Sequence, residues 1–209
     1  MKPQTIAFAD LPDEREELAR AEVYGLLAAL FYAAPSPELY AQLQVAVTEA
    51  PSPGALLEQS WQGVVAASRR LPLAQVAAEY DALFQGVGKP EIFLFSSFHL
   101  AGAINDKPLV TLRSDLAAMG LERDPATTET EDHIAVLCEL MRYLIAGADA
   151  ADGSLPAQER FFMAHLAGWV EAFTLLIAEH PKADFYRAVA LFARDFFAVE
   201  RQGFELLDL

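Results

Sequence analysis

Thr128-Glu129-Thr130-Glu131-Asp132-His133-Ile134-Ala135-Val136-Leu137-Cys138-Glu139-Leu140-Met141 joins a helix-start signal to an apolar stripe. Thr128 and Glu131 fit a capping box, and the acids Glu129, Glu131 and Asp132 suit the positive end of a helix dipole. The pattern therefore predicts a helix from this point to Gly147. At 100° per residue, Ile134, Leu137, Cys138 and Met141 lie at the centre of its apolar face. His133 falls at the edge of that face, above Leu137 and Leu144, while Asp132 points away, above Glu139 and Tyr143. Neighbours that diverge by about 100° do not meet as a catalytic dyad without help from another element.

Outward from this segment the same period recurs, with no internal repeat and no strict alternation. Helices are predicted at about 13–33, 37–47, 53–70 and 72–86, punctuated by Pro35-Ser36-Pro37, Pro51-Ser52-Pro53 and Pro72. Residues 86–105 read as one long irregular and unusually apolar region, containing Phe93, Phe95 and Phe98. Further helices are predicted from Val110 to Met119, along Phe162, Leu166, Trp169, Phe173 and Ile177 up to His180-Pro181, and along Phe185, Val189, Phe192, Phe196 and Val199. The expected fold is all-α, a single-domain bundle of about eight to ten helices over residues 1–209, with an ordered core of about 14–200.

Composition bounds the function. With 54% apolar and 11% aromatic residues, a chain of 209 residues buries a substantial core. The longest uncharged apolar run, Val23 to Pro35, has 13 residues, short of the ~20 that span a bilayer, so no membrane insertion is expected. No secretory or transit signal is readable near Lys2, and with the single Cys138 this points to a reducing cytoplasm. A formal charge of −15 repels nucleic acid and attracts basic peptides.

Catalytic constellations are missing. The residues three before His99, His133, His165 and His180 are Ser96, Thr130, Phe162 and Ile177, so no Glu-x-x-His metal pair exists. Gly86-Val87-Gly88 lacks the rest of a phosphate loop. No metal, cofactor or catalytic residue is assigned. By periodicity Tyr80, Leu83 and Phe84 read as core, whereas Phe93, Phe95 and Phe98 either cap the bundle or line a groove for an apolar segment.

Four motifs resemble, in order, the redox-enzyme maturation chaperones of the TorD/DmsD type. They are Glu79-Tyr80-Asp81-Ala82-Leu83-Phe84-Gln85-Gly86, the aromatic-serine loop at Phe95 to Leu100, Glu129-Thr130-Glu131-Asp132-His133-Ile134, and the run from His165 to Ala188. Thr130 stands where members commonly carry proline. The resemblance implies an all-α fold without turnover, which binds the apo catalytic subunit of a molybdopterin enzyme, with or without a twin-arginine signal peptide. It also implies a client-peptide surface of Tyr80, Leu83, Phe84, Ser97, Glu129, Asp132 and His133. The expected assembly is a monomer or homodimer; the alternatives are a helical scaffold subunit or a nucleotide-hydrolysing enzyme.

Overall fold

A computed structural model describes residues 12–48, 56–86, 89–124, 128–147 and 153–206, and among them the chain forms ten α-helices. They are α1 (Pro12–Tyr32), α2 (Pro37–Val45), α3 (Glu58–Arg70), α4 (Leu73–Tyr80), α5 (Ser96–Ala101), α6 (Lys107–Ala118), α7 (Ile134–Ala146), α8 (Leu155–His165), α9 (Val170–Glu179) and α10 (Phe185–Glu205). A π-helical turn, Asp81–Gln85, continues α4.

Local chemistry sets many of these boundaries. Ser36 Oγ accepts from Leu39 N at 3.2 Å, with Pro37 in the first turn of α2. Asp106 Oδ1 accepts from Lys107 N at 2.6 Å and starts α6, which stops before Gly120 at φ +73°.

One hydrophobic core runs through the bundle. α1 packs along α7, and α10 packs along α9 and α3. Phe185, Val189, Phe192 and Phe196 are all buried, as their spacing on α10 requires. Tyr24 meets Phe196 edge-on at 4.8 Å, and Phe84 meets Tyr186 edge-on at 5.1 Å. The last turn of α1 leaves carbonyls without intrahelical partners. The Tyr186 hydroxyl donates to Leu30 O at 3.1 Å, and the Tyr80 hydroxyl donates to Phe31 O and Tyr32 O at 3.1 and 2.8 Å.

The start of α10 is closed from a distance. The carboxylate of Glu79, inside α4, accepts from the backbone N–H groups of Asp184, Phe185 and Tyr186 at 2.8, 3.1 and 2.8 Å. These are donors that the first turn of a helix leaves free, and the carboxylate also sits at the positive end of the dipole.

Several expected boundaries are corrected. The 86–105 region is not wholly irregular, because α5 forms within it. α2 stops at Val45, where Ala46 turns extended, and α3 starts at Glu58; residues 53–55 lie outside the described set. The long helix expected through Phe162 and Ile177 is two helices bent by 57°. At the break Ala167 N reaches back to Phe162 O at 2.9 Å, and Trp169 Nε1 takes the His165 carbonyl at 2.8 Å.

Replacing Glu79 by Ala strands three N–H groups at a mostly buried helix start. Urea unfolding of Glu79→Ala is expected to show a loss of about 3 kcal/mol, with Glu79→Gln losing less.

Candidate functional site

Three backbone hydrogen bonds stitch the motif segments together. Ile92 N donates to Leu83 O at 3.0 Å, joining the loop after residue 89 to the π turn. Ser96 N donates to Asp132 O at 2.9 Å, and Ile134 N donates to Leu94 O at 2.8 Å. The last two flank an isolated antiparallel bridge between Phe95 and His133. Residues 130–133 form a turn, with His133 N donating to Thr130 O at 3.0 Å, and His133 leaves it in extended backbone to make that bridge. This corrects the helix start: α7 begins at Ile134, not near Thr128, because the chain before it pairs with the loop and His133 supplies the cap.

Asp132 does not point away above Glu139 and Tyr143; it is wholly buried. Its Oδ2 accepts from Ser97 N at 3.1 Å, and its Oδ1 accepts from Thr130 Oγ1 at 2.6 Å. Thr130, which stands where members of the resembled family commonly carry proline, is therefore a hydrogen-bond donor to the buried carboxylate. Ser97 is the second residue of α5, so Asp132 satisfies one of that helix's free donors from another segment. The Ser97 hydroxyl is buried and has no partner. Glu131 is engaged as well, held by Arg113 through contacts of 3.1, 3.1 and 2.8 Å. Burial opposes its ionisation, but the Arg113 hydrogen bonds prevail and hold its carboxyl below the usual range.

His133 caps α7, its Nδ1 accepting from Ala135 N at 3.1 Å. Burial pushes its pKa down to about 4 against a small opposing pull from Asp132, so the ring is neutral at pH 7. With Nδ1 accepting, Nε2 carries the proton. The ring lies 5.0 Å from Phe95 and 6.4 Å from Tyr32, both edge-on.

Ser97, Asp132 and His133 are therefore brought together, while Tyr80, Leu83 and Phe84 are buried in the core, with Tyr80 and Phe84 against α1 and Tyr186. The Tyr80 hydroxyl is used on the end of α1, and burial, reinforced by Glu129 and Asp81, pushes its pKa up to about 12. Glu129 is half-buried at the rim, where Arg123 donates to its carbonyl at 3.3 Å. His99 closes the loop by contacting Phe93 O at 2.7 Å and stacking on Trp169 at 5.1 Å.

Sequence reasoning missed Tyr32. It is 46% exposed, and its hydroxyl lies 3.4 Å from Thr128 Oγ1. It ends a shallow groove of ≈ 360 Å³ between α1 and α7, lined by Ala28, Ala29, Ala135, Val136 and Glu139. The period of α1 places Tyr32 outside the apolar stripe, and only the approach of residues 128–133 gives it a setting. Among the described residues no group of three or more His, Cys, Asp or Glu side chains is placed to hold a metal ion, and no single helix is long and apolar enough to cross a membrane.

Fold and geometry define a helical protein whose motif residues meet at a buried junction beside half-buried Glu129. Residues 49–175, which contain all of that junction, match the nitrate reductase delta subunit family, and the chain belongs to it. It is 28% identical to the chaperone protein TorD of Vibrio cholerae serotype O1, in both the classical O395 and the El Tor N16961 strains. That alignment runs over 193 residues, covering 85% of this chain and 88% of the relative. The fold matches a crystal structure from Archaeoglobus fulgidus of a protein assigned to redox enzyme maturation, with a TM-score of 0.57 and 14% identity. That match covers 94% of this chain and 99% of the other. The chain is thus of the TorD type, and its curated relatives are named as chaperones, not enzymes.

The depressed His133 pKa fixes a pH dependence. In the unfolded chain the ring takes a proton below about pH 6.5, but in the folded protein only near pH 4. Stability is present above 6.5 and is lost as pH falls through this window, by about 3 kcal/mol. Asn is a good cap without a titrating group. His133→Asn is expected to flatten that part of the pH profile in urea titrations at a series of pH values.

Proposed function

We propose that this protein is a cytoplasmic maturation chaperone that binds the apo catalytic subunit of a molybdopterin oxidoreductase before cofactor loading or export. Where the client carries a twin-arginine signal peptide, that peptide is part of what is bound. Family membership and the likeness to TorD support the class of activity. The observation that carries the site is the Asp132 carboxylate, hydrogen-bonded to a backbone N–H and a hydroxyl instead of to a cation.

Each residue then has a role. Asp132 and half-exposed Glu129 receive client arginine through charge-assisted hydrogen bonds. Ser97 and the Nε2–H of His133 contribute polar contacts beside it. Tyr80, Leu83 and Phe84 form the apolar wall behind that pair, and Tyr32 and Phe95 border it from the surface. The charge of −15 steers a cationic segment toward the rim. Glu131 is excluded from the arginine role because Arg113 already occupies it.

The test is calorimetric titration with a synthetic signal peptide bearing two consecutive arginines and an apolar run. Asp132→Asn and Glu129→Gln are each expected to raise Kd about tenfold, equivalent to about 1.4 kcal/mol. Affinity is also expected to fall as ionic strength rises from about 0.05 to about 0.5 M. Unchanged Kd in both variants, with thermal unfolding showing them intact, overturns the assignment.

A further inference from the structure

The residues assigned to the client are covered. Six of the seven, all but Glu129, are buried, and Ser97, Asp132 and His133 lie within or are paired to the segment that carries Phe93 to Ser97. A peptide approaching this face meets the loop first, so a site made of these residues works only if something moves. The contacts show what moves and what takes its place.

The cover is held at the Asp132 side by a small set of bonds: Ser96 N to Asp132 O, Leu94 O to Ile134 N, and Ser97 N to the Asp132 carboxylate. The first two form a single antiparallel bridge, not a ladder. Behind it α5 has only six residues, a length with little stability of its own. Leu94 is buried under this bridge, while Phe93 and Phe95 on either side of it stay partly exposed. The loop thus presents one apolar side chain and an extended backbone to residues 132–134, as an apolar peptide would.

We propose that residues 132–134 are a pairing edge for an extended client peptide carrying arginine, and that Leu94–Ser96 occupies this edge as an internal stand-in until the client displaces it. The inference rests on the reading of these residues as the client site. On exchange, a peptide carbonyl replaces Leu94 O on Ile134 N, and a peptide N–H replaces Ser96 N on Asp132 O. A peptide apolar side chain takes the place of Leu94. Asp132, released from Ser97 N, accepts from the guanidinium instead. No backbone group of the edge is left without a partner, which is how strand addition gains affinity. Charge favours this occupant over an acidic or neutral one. Exposed Asp81 and half-exposed Glu129 both bear electrostatically on Tyr80 at this end of the molecule, and Arg113 is committed to Glu131.

Amide exchange followed by NMR with the same twin-arginine peptide reads this directly. Ser96 and Ser97 occupy the first two positions of α5, where no intrahelical carbonyl protects an N–H, so their protection reports the bonds to Asp132. At saturating peptide both are expected to exchange at least about tenfold faster, while Ile134 stays protected because its partner is replaced. Unchanged protection at Ser96 and Ser97, or loss of protection at Ile134 as well, overturns the proposal. Failure of the peptide to bind overturns the functional reading itself, so the two failures are distinct.

A second variant acts in the opposite direction. Ser96→Pro deletes the N–H that bonds Asp132 O, at a first helical position that tolerates proline. It follows Phe95, whose φ −116° and ψ 129° are those favoured before proline. The loosened cover is expected to tighten peptide binding about threefold or more. An unchanged or weakened affinity in a folded Ser96→Pro protein counts against displacement.

Discussion

Removing a carboxylate from water costs several kcal/mol unless hydrogen bonds replace its hydration, and Asp132 is wholly removed. That demand organises this end of the molecule. Ser97 N and Thr130 Oγ1 must both be brought to the two oxygens, so the chain before α7 cannot wind into a helix from Thr128. It forms a turn closed by His133 N on Thr130 O instead, and the loop pairs with the backbone on either side of His133. The helix start, the position of α5 and the burial of His133 all follow from satisfying one charge.

The same requirement recurs at three other buried carboxylates, met differently each time. Glu79 takes three backbone N–H groups and fixes the start of α10. Glu200 takes Arg20 in two hydrogen bonds of 2.7 and 2.8 Å and also the Tyr24 hydroxyl at 3.0 Å, tying α1 to α10. Glu131 takes Arg113. Two of the four are thus neutralised by a cation, and one stabilises a helix dipole along a 21-residue element. Asp132 alone among these has neither a bonded cation nor a long helix behind its donors. It is the carboxylate with most to gain from a guanidinium.

Much of the fold was legible because its helices are strongly periodic and separated by Pro and Gly. The spacing of Phe185, Val189, Phe192 and Phe196 cannot serve anything but a buried helical face. The errors fall where tertiary hydrogen bonds compete with local signals. Thr128 and Glu131 make a sound capping box in isolation, but Arg113 claims the Glu131 side chain and the loop claims the backbone around it. The break between α8 and α9 depends on an indole bond to a carbonyl, which no hydropathy pattern encodes. The candidate site was legible only as motifs. Composition marked acids and aromatics, while the joining of Ser97 to Asp132, 35 residues apart, is a long-range fact.

The burial of the motif residues also bears on how a chaperone of this class stays soluble and specific. A permanently open groove lined by Leu83, Phe84 and Leu94 would be an exposed apolar patch, inviting promiscuous contact and aggregation. On the proposed exchange, covering it with the chain's own Phe93-Leu94-Phe95 removes that hazard, and a client competes with a tethered segment at high effective concentration. An apolar peptide alone gains nothing by the exchange, since it replaces like with like. A peptide with an apolar run and a cation gains the contact with Asp132 that the cover, which offers only a backbone N–H there, cannot make. Selectivity for a cationic, apolar segment then arises from the difference between two occupants of one edge, a preference that neither the carboxylate nor the apolar wall provides separately.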